Sequence, residues 1–114
     1  MDGDLDILQA DIDAARADYR AERDVLVKTA GWIYADAPSA ADAIEGLAEE
    51  LGPGKAVEQL LTLPTAYGAL GPTASDQLIA DQSDIIEPQL ERLLDAQDRL
   101  DRLTRHREDI LAAR

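Results

Sequence analysis

The sequence predicts an all-α fold: an elongated antiparallel helical bundle of three to four helices with a hook-like corner at residues 64–72. Three observations predict it. Apolar residues recur at heptad spacing in the first and last parts of the chain. Aromatic residues are 4% of the 114 and Phe is absent, so Leu, Ile, Val and Ala must do nearly all the packing, as they do in helical cores. Between the periodic parts lies Leu63-Pro64-Thr65-Ala66-Tyr67-Gly68-Ala69-Leu70-Gly71-Pro72. Proline lacks the amide hydrogen and glycine loses the most backbone entropy on being fixed, so the chain must turn here. Tyr67 and Leu70 give that turn something to bury, and Gly68 is expected to need a backbone conformation poorly available to other residues.

The first helix is expected over residues 4–35. Leu5, Ile12, Tyr19, Leu26 and Ile33 stand seven apart, with Leu8 and Ala15 interleaved, while Asp11, Asp13, Arg16, Asp18, Arg20, Arg23 and Asp24 make the opposite face polar. Pro38 biases the preceding residue away from helix, so Asp36-Ala37-Pro38 reads as a loop. A second helix is expected over 39–51, capped by Ser39 with Asp42 three residues on, and carrying Ile44, Leu47, Ala48 and Leu51 as its apolar stripe. Gly52 stands where a left-handed cap is needed and Pro53 follows as a stop. A short third helix over 54–63 packs Val57, Leu60 and Leu61, then stops at Pro64. The last helix is expected over 73–112, capped by Thr73 with Asp76. Its rows are Ile79, Ile86, Leu93 and Leu100, and Ala96, Leu103 and Ile110, and preserved phase across Pro88 predicts a bend there.

At 114 residues the chain is one domain's worth, and residues 1–114 read as a single unit. The net charge of −13 is spread as −4 over residues 1–35, −5 over 36–72 and −4 over 73–114. Such a field repels phosphates, which argues against direct nucleic-acid binding and against anionic membranes. Without Cys, disulfides and thiolate metal sites are excluded. No apolar run approaches the roughly 18 residues of a membrane span, so no membrane insertion is expected, and a soluble, cytoplasmic protein is.

Catalytic constellations are missing from the pattern. His106 is the sole histidine, which leaves no Glu-x-x-His metal pair, His-based zinc site or Ser-His-Asp triad, and its arginine neighbours suit a solvated imidazole. Glu49, Glu50, Asp98 and Asp101 fall at outward positions. Neither Gly52-Pro53-Gly54-Lys55 nor Gly68-Ala69-Leu70-Gly71 has the strand before it or the Lys-Ser/Thr ending of a phosphate loop. The reading is therefore non-enzymatic, with no catalytic residue, cofactor or metal. Trp32 and Tyr34 suit either packing at a helix end or anchoring of a partner. Arg99, Arg102, Arg105 and Arg107 are the one concentration of positive charge. They serve either as i,i+4 partners for Asp95, Asp98 and Asp101 or as a docking surface.

The pattern Ala56-x-x-x-Leu60-x-x-x-Pro64-x-x-Tyr67-Gly68-x-Leu70-Gly71, after an Ala/Glu-rich helix and before a long charged one, resembles the BID domain of type IV secretion substrates. That is the Bep intracellular delivery module of translocated effectors and conjugative relaxases. Pro64, Tyr67, Gly68 and Leu70 match the family's corner position by position. At Gly71 the family often has a basic residue before the glycine, and its domains carry basic surfaces where this chain is acidic. The resemblance covers residues 56–71 in letters and most of the chain in helix order. It implies an elongated antiparallel bundle capped by a hook, excised from a larger relaxase or effector. It also implies a translocation signal recognised by the type IV secretion coupling protein, an ATPase, with the protein cytoplasmic in the producing bacterium and then transferred into a recipient or host cell. The alternative from charge alone is a stand-alone acidic interaction module, such as an antitoxin, an adaptor or a nucleic-acid mimic.

Overall fold

The computed structural model describes residues 2–60 and 73–113. The described residues form four helices and no strand: α1 Asp2–Ala30, α2 Ala37–Leu51, α3 Pro53–Glu58 and α4 Asp76–Ala112. The expected corner, with Pro64, Tyr67, Gly68, Leu70 and Gly71, lies outside the described residues, as does Leu61.

The principal extents are 57 × 21 × 20 Å. At 1.5 Å per residue α4 spans about 56 Å and α1 about 43 Å, so these two helices set the length. They run antiparallel, because Arg99 meets Asp18 at 3.3 Å and Arg92 meets Glu22 at 3.5 Å, the later residue of one helix facing the earlier of the other. The first heptad row packs as expected: Leu8, Ile12, Ala15, Leu26 and Ile33 are buried, with Leu5 and Tyr19 half-buried. On α4, Ile79, Ile86 and Leu93 are at most 3% exposed, and Leu90 joins them. Five residues of α2 are buried, Ala40, Ala41, Ala43, Ile44 and Ala48, and four of them are alanines. Small side chains let the α2 backbone come close to its neighbours.

The ends of α2 at Leu51 and of α4 at Ala112 fall where expected, and the other boundaries depart from expectation for local reasons. Helix α1 ends at Ala30, five residues early, as the amides of Trp32 and Ile33 bond the carbonyls three residues back and tighten the turn. That turn carries Tyr34 into the core, where its hydroxyl donates to the Leu60 carbonyl at 2.8 Å. Helix α2 starts at Ala37 with Pro38 in its first turn, where the missing amide costs nothing. Asp36 is its cap, accepting from the Ser39 amide and hydroxyl, so Ser39 is a donor within the cap and not the cap itself. Gly52 has φ +90° and ψ 159°, positive in φ but extended in ψ, which closes α2 and opens α3 at Pro53 in one residue. Helix α3 is shorter than expected, ending at Glu58. Helix α4 is capped by Ser75, whose Oγ accepts from the Leu78 amide. Thr73, expected as that cap, instead donates its amide and hydroxyl to the Ile33 carbonyl and ties the entry of α4 to the end of α1. The helix continues across Pro88. Pro88 and Asp84, whose carbonyl loses its helical partner, are both exposed, so water can serve that carbonyl.

Candidate docking surface

The four arginines singled out in the sequence separate on α4. Spacing of three residues sets Arg99, Arg102 and Arg105 along one outward row, all exposed, while Arg107 is rotated toward the packed side and is half-buried. One of the three expected i,i+4 pairs forms, Asp98 with Arg102 at 3.2 Å. Arg99 reaches across to Asp18 in place of Asp95, since the facing helix offers a carboxylate within range. Asp101 and Arg105 make no ion pair among the described residues. These exposed pairs contribute little to stability, each about 0–1 kcal/mol, so the row remains available to a partner at low cost. His106 is exposed beside it. Glu49, Glu50, Asp98 and Asp101 are all exposed, and Glu49 accepts from Gln97 Nε2 at 2.6 Å, which joins α2 to α4.

A second polar cluster, which sequence reasoning missed, holds α1 to α2. Arg23 forms a charge-assisted bond to Asp42 and lies 3.6 Å from Glu45 through Nε. Tyr19 donates to both oxygens of Glu45, at 2.8 and 3.0 Å. Burial, then the hydrogen bond to Glu45, pushes the Tyr19 hydroxyl up to about 12. The visible signal was one turn of spacing, Tyr19 to Arg23, facing Asp42 and Glu45 on the next helix. Arg92 was also missed. It stands seven residues before Arg99 and repeats its flanking role, with Glu22 in place of Asp18.

The two aromatic candidates divide. Tyr34 is 1% exposed and structural, whereas Trp32 is 52% exposed at the end of α1. Among the described residues no group of three or more His, Asp or Glu side chains is placed to hold a metal ion, and no helix is long and apolar enough to cross a membrane. No family model, no curated protein and no solved structure matches this chain.

Proposed function

We propose that this chain is a non-enzymatic delivery signal of a conjugative relaxase or translocated effector, recognised through its folded surface by the coupling ATPase of a type IV secretion system. The observation supporting it is the outward row of Arg99, Arg102 and Arg105 on a long helix that runs antiparallel to α1. A row of cations on a long helix is recognised by charge and shape and needs no pocket. The corner resemblance at Pro64, Tyr67, Gly68, Leu70 and Gly71 supplies the identity of the partner. The test is transfer of a reporter fused to this chain, with Arg99, Arg102 and Arg105 all reversed to Glu in one arm and His106→Ala in the other. A delivery domain loses transfer in the first arm and keeps it in the second, with the fold retained in both. Equal transfer in both arms rejects the arginine row as the docking surface, and no transfer by any cognate system rejects delivery.

The net charge of −13 favours a second reading, an acidic module that occupies a basic partner surface. Exposed Asp4, Asp6, Asp11, Asp13 and Asp24 along α1 would then carry the binding. Neutralising them to Asn would abolish partner binding while the arginine reversal would leave it intact.

A further inference from the structure

Helix α2 covers one groove of the α1–α4 pair for part of its length. Tyr19 and Arg23 mark the α1 side of that groove and Gln97 the α4 side, through their bonds to Glu45, Asp42 and Glu49. Helix α2 then ends at Leu51, 43% exposed. Both long helices run on. By helical phase Leu5 continues the α1 side, and Leu100, Asp101, Glu108 and Leu111 continue the α4 side. Burial fades along this stretch: Leu93 is fully buried, Leu100 and Leu5 are half-buried and Leu111 is 40% exposed. The heptad pattern thus extends past the helix that covers it.

We propose that this open groove takes an amphipathic helix of about three turns from a partner protein, with an apolar stripe flanked by Lys or Arg, laid end to end with α2. The proposal goes beyond the docking reading above: it uses the groove side of α4 and names the chemistry of a partner segment that the arginine row does not address. Charge selects a basic helix: Asp101 and Glu108 line the α4 side with no ion pair among the described residues, and Glu49 and Glu50 close the α2 end. The same charges disfavour a second copy of this chain. Pairing two arms antiparallel would set Asp101 and Glu108 against their own counterparts, and pairing them parallel would drive one α2 into the other.

The experiment titrates the full chain with two synthetic helical peptides that share one leucine stripe, one flanked by Lys and the other by Glu. Leu methyl resonances report the site. The Lys peptide should shift Leu5, Leu51, Leu100 and Leu111 and bind about tenfold or more tighter than the Glu peptide. D101K/E108K should weaken it by a similar factor, while D84K/E91K, the same reversal at exposed α4 positions outside the groove, should leave binding unchanged. All four positions are exposed, so both variants keep the fold. Equal binding to the two acid reversals, or shifts confined to other leucines, overturns the proposal, as does concentration-dependent dimerisation of the chain alone through these leucines. Groove binding without reporter transfer leaves the groove standing and removes the secretion reading. Transfer with no peptide response does the reverse.

Discussion

Replacing Tyr34 by Phe tests how the end of α1 is locked into the core. The ring is 1% exposed and its hydroxyl donates to the carbonyl of Leu60, itself 1% exposed, at 2.8 Å. Phe keeps the ring and removes the donor, so a buried carbonyl loses its partner at a cost of about 1–3 kcal/mol. For a domain of this length that is a fall in Tm of about 4 °C per kcal/mol, readable by thermal and urea unfolding at pH 7. The alkaline limb gives a second reading. Burial pushes the Tyr34 hydroxyl from 10.0 up to about 12. The unfolded chain therefore releases this proton first, and the stabilisation is complete below pH 10 and lost as pH rises toward 12. Tyr19 behaves in the same direction, so Tyr34→Phe should shallow the alkaline loss without abolishing it. A variant that melts like the wild type at pH 7, with an unchanged slope above pH 10, would refute the buried hydrogen bond.

Leu93→Ala empties a fully buried site between the long helices and should cost about 2–5 kcal/mol in urea unfolding; under 1 kcal/mol would contradict its burial. Gly52→Ala meets no atom within 4 Å, so its expected loss of about 1 kcal/mol comes from the backbone at φ +90°, and an unchanged melt would argue against that conformation. Gln82→Leu and Gln89→Leu replace buried amides whose Oε1 atoms have no hydrogen-bond partner among the described residues, so each should hold or raise stability. A loss above about 1 kcal/mol in either would mean that its oxygen is bonded.

Periodicity was the most legible layer of this chain. The rows through Ile12, Leu26, Ile86 and Leu93 could be drawn from spacing alone, because one buried stripe per helix leaves a regular trace. Helix ends were less legible, since Ser39 and Thr73 are good caps in isolation and lose to Asp36 and Ser75 on contacts made by neighbouring turns. The expected loop at Pro38 failed for a related reason: at the first turn of a helix proline is tolerated. The arginine row could be read in order but not in orientation, as Arg107 turns inward by the phase of α4. Arg99 could not be paired correctly at all, because Asp18 lies 81 residues away and only the antiparallel register brings it near.

The most direct measurement is a titration of the purified chain with the soluble part of a cognate coupling ATPase, followed by calorimetry, for the wild type and for the Arg99, Arg102 and Arg105 reversal to Glu. Recognition through the folded arginine row gives saturable binding that the reversal weakens by about tenfold or more, with circular dichroism unchanged. Absence of binding by the folded wild-type chain, or equal affinity for the reversed one, would contradict it.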